Sequence, residues 1–524
     1  MIRHFTEDNR LLAVIIILAA ILRLWSLNWG EPPQIAYADE LYHVEQSVGV
    51  FYDPHRIFHE PYTPLFHRAV SIAMLPVFAL NHSEGKEKWE RPAAWHFYLG
   101  RVLSALFDLF AIVVTFLLAQ KLFNSRKVAI TATLIHTLCF ECIRHSHYMT
   151  PDTLSVLMSS LTLLLLYKLW DDSDKLSLLA LAGIAAGLAV AAKFNNVLLL
   201  LSAVYVILFS VNQNPFVNRF KSLMFFLGIF AVSLMISFPA FGVFLKEVVF
   251  ANKSAASGAA FKLSCEGGPF AIFLHNYPIP HEELSFRSIW SAMGILPVLL
   301  GITGAVYLVR KDFRKFTPLV VYAVLTIVPA AKLNIIRYAM PAFPLFAIFG
   351  AFIVVKAMSS IKKPAAIFFV ALLFSPPLIR AVQLDFLLSH KDSRVIAGEW
   401  MRKNIEKGSV VALYTGHMWA NPDVYGYGYR FIDIPLVLYE REGLSEDRAK
   451  PLDYYRKAGV EYVAVNSYTM NHHLNSVSRR YFPETVSSFE KFYKELADNA
   501  QLIFYYEKNN FTKPGPSIKI YRLN

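Results

Sequence analysis

The sequence predicts a polytopic α-helical membrane protein that ends in a soluble α/β domain. Three observations lead there. Of 524 residues, 55% are hydrophobic and only 17% are charged, whereas soluble domains run near half apolar and a quarter charged. The apolar residues fall in runs of about twenty, each long enough to cross a hydrocarbon core of about 30 Å as a helix. From His390 to Asn524 the composition then turns soluble. A soluble enzyme, a disordered chain and a disulfide-framed secreted module are excluded. The mean hydropathy of +0.40 points the same way.

The net charge of +12 would suggest nucleic acid in a soluble protein. Here much of the basic excess sits in short loops between apolar runs, where it sets orientation against the membrane, so nucleic acid is not among the expected partners. The first run, Leu11 to Trp29, follows Arg3 and Arg10. Ala36-Tyr37-Ala38 resembles a leader cleavage site, but the run is long for a leader. Arg23, Trp25 and Trp29 look like an interface anchor. The reading is a retained helix with a cytoplasmic N-terminus.

Residues 30 to 95 break the pattern with Pro32-Pro33, Asp39-Glu40, several histidines, many aromatics and one shorter apolar stretch from Ala69 to Leu80. A segment this long is functional or disordered, and its aromatic content argues for order. It is expected to be a large extracytoplasmic loop with helices along the membrane surface. Later runs fall near 97–122, 128–143, 153–170, 176–192, 194–211, 222–245, 288–309, 317–333, 338–356 and 364–384, eleven with the first. Alternating them from an inside N-terminus puts Arg126-Lys127, Arg219 with Lys221, Arg310-Lys311 with Arg314-Lys315, and Lys362-Lys363 in the cytoplasm, the positive-inside pattern. An odd number of crossings sends the chain beyond about residue 385 to the outside. The expected division is a membrane unit over 1–385 and a soluble unit over 390–524.

In the soluble unit, Asp392 to Glu406 has helical spacing, with Val395, Ile396, Trp400 and Ile405 apolar. Val410–Tyr414, Tyr462–Val465, Leu502–Tyr506 and Ile518–Tyr521 read as strands. Helical stretches around Arg448–Lys457 and Ser487–Leu496 lie between them.

Candidate chemistry gathers on the outer face. Asp39-Glu40 follows helix one in an aromatic setting; alone, such a pair reads as solvated surface charge. The hinge Arg144-His145-Ser146-His147-Tyr148-Met149-Thr150-Pro151-Asp152 joins two helices on the same face. Thr150 could cap the next helix, with Asp152 favourable to its dipole. His145 and His147 could join carboxylates of the first loop around a divalent ion; metal dependence stays open, and no other cofactor is implied. Lys193-Phe194-Asn195-Asn196 interrupts two runs, as a helix turn with a snorkelling lysine or as a phosphate contact. Arg101 and Arg337-Tyr338 add positive charge near the same leaflet, where charges are usually paired or functional. Cys139 and Cys142 form a C-x-x-C in an apolar run with no second pair to complete a metal site, and read as buried small hydrophobes.

Acidic and cationic points against a hydrophobic wall suit a lipid phosphate. Cations hold the phosphate, the tail lies in the bilayer, and a carboxylate activates an acceptor hydroxyl. A single carboxylate and in-line attack would invert the anomeric centre.

At these residues the chain resembles the C-type (GT-C) membrane glycosyltransferases, in the superfamily of protein O-mannosyltransferases and lipid A aminoarabinose transferases. The resemblance is carried by Asp39-Glu40, by Gly100-Arg101-Val102-Leu103-Ser104-Ala105-Leu106 and by His147-Tyr148-Met149-Thr150-Pro151-Asp152. It continues through Gly187 to Asn195, Arg337-Tyr338-Ala339-Met340-Pro341, and Asp392-Ser393-Arg394 leading to Trp400-Met401. It implies a polyprenyl-phosphate sugar donor and a lipid, protein or glycan acceptor modified outside the cytoplasm, in a cell membrane of prokaryotic type. Asp39 would match the catalytic base, with Glu40 beside it, and Asp152 the second acidic residue. Lys193, Arg337, Tyr338 and Arg101 would serve the donor phosphate, and His43, His67, Arg68 and His147 the loops around donor or acceptor. The chain departs from the lipid A branch in having Leu41-Tyr42-His43 where an arginine is common, and Glu60-Pro61-Tyr62-Thr63-Pro64 where a Lys-Pro-Pro is common. His67 or Arg68 would stand in for that lysine, and aminoarabinose does not follow as the sugar. The Trp-Trp-Asp of the oligosaccharide-transferring branch does not occur.

Two other classes compete, a lipid-linked sugar transporter or flippase and a non-catalytic scaffold with the same fold. Transporters of this size often show inverted repeats and midplane broken helices, whereas the polar features here gather at one face. The three carboxylates together speak against a scaffold.

Overall fold

A backbone in hydrocarbon must satisfy its own hydrogen bonds, so apolar runs of this length become helices. A computed structural model describes residues 7–30, 37, 39–56, 64–80, 93–170, 175–209, 216–242, 286–332, 336–415, 420–435, 448–474, 479, 483–509 and 511–523. Ala36 and Ala38, Pro32-Pro33 and residues 60–63 lie outside these described residues. Helix α1 (Glu7–Leu24) is followed by α2 (Glu40–Gly49) and α3 (Pro64–Leu80) in the first loop. Then come α4 (Ala94–Phe123), α5 (Arg126–Thr137), α6 (Phe140–Ser146), α7 (Asp152–Leu169), α8 (Leu176–Ala192), α9 (Leu199–Phe209) and α10 (Phe216–Ser237). The helical part closes with α11 (Phe286–Met293), α12 (Ile295–Lys311), α13 (Phe313–Lys332), α14 (Phe343–Met358) and α15 (Lys363–Leu388).

Each apolar run therefore carries a helix. Five described stretches are long and apolar enough to span a bilayer by length and composition: Ala94–Phe123, Asp152–Leu169, Val217–Ser237, Ile336–Met358 and the one starting at Lys363. The others fall short of that measure. Four runs are not single α-helices. The run at 128–143 breaks at Leu138-Cys139, and the run at 288–309 breaks at Gly294, whose φ of +92° a residue with a Cβ adopts only under strain. The runs at 194–211 and 338–356 open with 3-10 turns, Phe194–Leu198 and Ile336–Ala342. In the first of these, Asn196 Nδ2 donates to Ala189 O at 2.8 Å, a side-chain bond that competes with regular helix. Thr150 does not cap α7; Pro151 occupies that position, with no side-chain cap bond.

Small residues let these helices approach closely. A Cβ on Gly304 of α12 would lie 2.2 Å from the Phe349 carbonyl oxygen of α14. Basic residues collect at one end of the bundle. There Lys315 Nζ donates to Leu122 O at 2.8 Å and Tyr167 Oη donates to Lys315 O at 2.5 Å. Lys356 lies 3.8 Å from the Tyr307 ring centre.

At the opposite end the chain continues from α15 into α16 (Ser393–Asn404), with Asp392 accepting a hydrogen bond from Arg394 N. Trp29, Leu388 and Val395 form an apolar cluster there. A mixed sheet follows, built from β1 (Val410–Leu413), β2 (Arg430–Asp433), β3 (Tyr462–Asn466), β4 (Gln501–Tyr506) and β5 (Ile518–Arg522), in the order β2-β1-β3-β5-β4. β1 runs parallel to β2 and β3, and β5 antiparallel to β3 and β4. Alternation along the strands fills two cores. Val411, Leu413, Ala464, Ile518 and Ile520 meet Ala397 and Met401 of α16. Val410, Ala412, Val463 and Val465 meet α17 (Leu452–Lys457) and α19 (Pro483–Asn499) through Tyr455, Phe489 and Phe492. The sequence reading missed β2, an edge strand with a charge at each end, and α18 (Ser467–Leu474).

Candidate active site

The site is assembled from four segments far apart in sequence. Asp39 immediately precedes α2, and its side chain makes no cap bond to the helix. The carboxylate instead pairs with the Arg337 guanidinium on the Ile336–Ala342 turn. Lys193 leaves the end of α8 in extended conformation, and its Nζ donates to Asp152 Oδ1 at the start of α7, 2.5 Å away. Tyr338 joins the two pairs. Its ring centre lies 4.3 Å from Lys193 Nζ and 5.8 Å from the Arg337 guanidinium, within reach of cation–π attraction. Asn195 Nδ2 holds the turn by donating to Tyr338 O at 3.2 Å.

Exposure separates the two acids. The Asp39 side chain is 35% exposed and that of Arg337 16%, whereas Asp152 and Lys193 are each at 2%. Asp152 is held further by His145, whose Nδ1 lies 3.3 Å from Oδ2 and whose Nε2 lies 3.1 Å from Glu141 Oε1. Asp39 is thus the open acid of the pair and Asp152 the enclosed one. Burial works to raise the Asp39 pKa, but Arg337 and then His43 outweigh it and leave the carboxyl below its usual range. Tyr37 is pushed up to about 12, chiefly by burial, so its hydroxyl stays protonated at neutral pH.

Glu40, next in sequence to Asp39, has a different setting. It is fully buried and accepts Arg101 in a two-pronged pair, Nε to Oε1 and Nη2 to Oε2, both at 2.8 Å. Its oxygens also accept Met149 N at 2.8 Å and Tyr37 N at 2.7 Å. Arg101 spends Nη1 on Leu27 O and Trp29 O, at 2.9 and 2.8 Å, and lies over the Trp29 ring. Arg101, expected at the donor phosphate, is therefore a buried clamp, and Glu40, expected among the catalytic acids, is its counter-charge. A Cβ on the preceding Gly100 would lie 2.4 Å from Met149 Sδ, so that glycine makes room for the hinge.

The other expected residues divide. His43 Nδ1 and His67 Nε2 are 2.7 Å apart, joining α2 to α3 on the flank of Asp39. Arg68 turns away, donating to Ile236 O at 2.8 Å and Ser237 O at 2.9 Å at the end of α10. His147 faces the other side of its hinge, with Nδ1 2.8 Å from Ile143 O, Nε2 2.8 Å from Trp25 O and Asp385 Oδ1 at 3.3 Å. Neither belongs to the acidic centre. Reasoning from sequence missed Tyr37 and Tyr148, stacked 4.3 Å apart between Asp39 and the hinge, and Glu141. The spacing of Glu141 and His145 by four residues on one helix was the available signal. Among the described residues, Asp39, Asp152, His145 and Glu141 do not form a group of three ligand atoms close enough to share one ion. Arg337 and Lys193 already supply positive charge to the two aspartates.

Comparison with known proteins gives a consistent outcome. A family model described as dolichyl-phosphate-mannose-protein mannosyltransferase matches residues 96–238, which run from α4 into α10. The Archaeoglobus fulgidus oligosaccharyltransferase AglB, solved with an inhibitory peptide and a dolichol-phosphate, aligns over 96% of this chain and 74% of its own. Its identity is 12% and the TM-score 0.58. ArnT from Cupriavidus metallidurans, solved with undecaprenyl phosphate, aligns over 99% of this chain and 98% of its own, at 12% identity and a TM-score of 0.53. The chain therefore shares the fold of these glycosyltransferases, as the resemblance read from its sequence implied. Its helical framework matches theirs, and five described stretches are long and apolar enough to cross a membrane. Comparison with curated protein sequences returned no match.

Proposed function

We propose that this chain is an inverting glycosyltransferase that moves a sugar from a polyprenyl-phosphate donor to an acceptor on the extracytoplasmic face. The observation that carries the reading is the Asp39–Arg337 pair beside Lys193 and Tyr338. It sets an accessible carboxylate against cations at the helix ends, on a fold whose solved members include complexes with dolichol-phosphate and undecaprenyl phosphate. In this reading the prenyl tail lies in the bilayer. Arg337, the more exposed cation, takes the phosphate, with Lys193 behind Tyr338 adding charge. Asp39 accepts the proton of the acceptor hydroxyl as its oxygen attacks the anomeric carbon. The bond from that carbon to the phosphate oxygen breaks on the opposite side, so configuration inverts and polyprenyl phosphate leaves. Residues 1–385 form the membrane unit with eleven crossings, and 30–95 its large outer loop. Residues 390–524 form a soluble domain outside an inner, or cell, membrane.

The test is turnover by purified protein in lipid, given a panel of polyprenyl-phosphate sugars with a membrane extract as acceptor. The reading expects one donor to be consumed and the sugar to appear on an acceptor with inverted configuration. Retained configuration, or a donor carried across vesicles without cleavage, would overturn it.

A further inference from the structure

A second polar cluster lies inside the helical bundle, away from the site that the transfer reaction would use. Cys139 and Cys142 lack a second cysteine pair in sequence, but the fold brings them other partners. Asp108 comes from the middle of α4 and His136 from the last turn of α5. One ligand atom from each of Asp108, His136 and Cys142 lies within 4.8 Å of the other two, and all three residues are buried. Both cysteines are free and buried, Cys139 three residues before Cys142.

The hydrogen bonds set the orientation of His136. Thr115 Oγ1 lies 2.9 Å from both Ala111 O and His136 Nδ1, and when its hydroxyl donates to the carbonyl it accepts from Nδ1. In that tautomer Nδ1 carries the proton, and the neutral ring turns the Nε2 lone pair inward. That nitrogen lies 3.5 Å from Asp108 Oδ1. Neither atom has a hydrogen-bond partner among the described residues. Two lone pairs facing each other away from water repel, and a cation between them removes the conflict. Their separation is close to the edge of a tetrahedron with metal bonds of about 2.0–2.1 Å.

We propose that Asp108, His136 and Cys142, joined by Cys139, form a structural site for a thiophilic divalent cation, zinc by its donor chemistry. Two sulfurs, one imidazole and one carboxylate are a borderline-soft tetrahedral set. Charge closes as well. Arg23 Nε holds the other Asp108 oxygen at 2.6 Å, so one arginine, one aspartate, two thiolates and a divalent ion sum to zero, as a site buried in a membrane protein requires. Thr115 is the outer partner that fixes the histidine tautomer. Cys139, whose Sγ is 3.6 Å from Ala292 O, swings from that carbonyl to the fourth position. The ion would staple α1, α4, α5 and α6 beneath the hinge that carries Met149 and Asp152. Ser146 Oγ, within that hinge, is already 3.4 Å from Asp108 Oδ2.

The competing arrangement is an imidazolium that shares the Asp108 carboxylate with Arg23 and needs no metal. Full-length protein freed of any affinity tag, stripped with chelator and titrated with Co2+ distinguishes the two. The proposal expects about one ion per chain and a thiolate-to-cobalt charge-transfer band. Cys142→Ser should weaken that band by about half or more, and His136→Ala should weaken metal retention at least about tenfold. Elemental analysis of the untreated wild type should find zinc near one per chain. Wild-type protein that unfolds cooperatively yet contains no zinc and gives no cobalt band overturns the proposal, whatever the variants do. A band that survives Cys142→Ser at full strength also overturns it.

Discussion

Asp39 and Glu40 are adjacent in sequence, carry the same charge and each pair with an arginine, yet they sit in opposite environments. Glu40 is sealed from solvent and receives four hydrogen bonds, two from Arg101 and two from backbone amides. Asp39 is 35% exposed, makes no cap bond and pairs with Arg337, which is 16% exposed. The difference follows from one step along the chain at the start of α2. The last residue before the helix stays partly exposed beside Arg337, and the first residue within it turns toward α4. A buried pair resists loss of either partner, because the survivor is left charged and unpaired. An open pair can exchange a partner for substrate. On this account Glu40 builds the site and Asp39 works in it.

The comparison can be broken by exchanging the outcomes. Glu40→Gln should cost about 3–5 kcal/mol of stability by stranding Arg101, read as a large drop in thermal midpoint. A variant as stable as wild type would remove Glu40 from its structural role. Arg337→Ala should weaken donor binding by about tenfold or more, the scale of a charge-assisted hydrogen bond, with little loss of stability. It should also move the acid limb of the pH–rate profile upward. Arg337 holds the Asp39 carboxyl low against burial, so removing it lets the pKa rise, and the ionised base is lost at a higher pH as acidity increases. An unchanged limb would mean that Asp39 is not the group titrating.

Smaller effects sharpen the picture. Tyr338→Phe should keep most donor affinity and Tyr338→Ala should lose a few-fold, since the ring face contributes about 0.5–2 kcal/mol. Equal losses would assign the effect to the hydroxyl. In the C-terminal sheet region, Tyr414→Phe removes a 2.8 Å contact with the Tyr493 hydroxyl. It should cost about 1 kcal/mol of stability and leave turnover untouched, as measured by denaturation beside a donor assay.

How much of this was legible beforehand depended on the range of the interaction. The apolar runs and the strands Val410–Tyr414 and Tyr462–Val465 were readable because side-chain pattern over a few residues decides them. Asp39, Asp152, Lys193 and Arg337 could be singled out because each interrupts or bounds an apolar run. Their pairing could not be read, since Asp39 and Arg337 stand 298 residues apart. The partner of Arg101 could not be read for the same reason. A cation inside an apolar helix signals a partner, but not whether that partner is a ligand or Glu40. Arg68 and His147 look equivalent to the site residues in sequence, and only the direction of their helices sends them elsewhere. The breaks at Leu138-Cys139 and Gly294 were hidden because a run of apolar residues does not show where its helix is interrupted.

The most direct measurement is to follow Asp39→Asn and wild type side by side for donor affinity, thermal midpoint and turnover. The account predicts a stable variant that binds the polyprenyl-phosphate sugar as wild type does, with transfer reduced by about 100- to 10,000-fold, the scale of a lost general base. Turnover within a few-fold of wild type would contradict it, and so would a variant that fails through unfolding or lost donor binding.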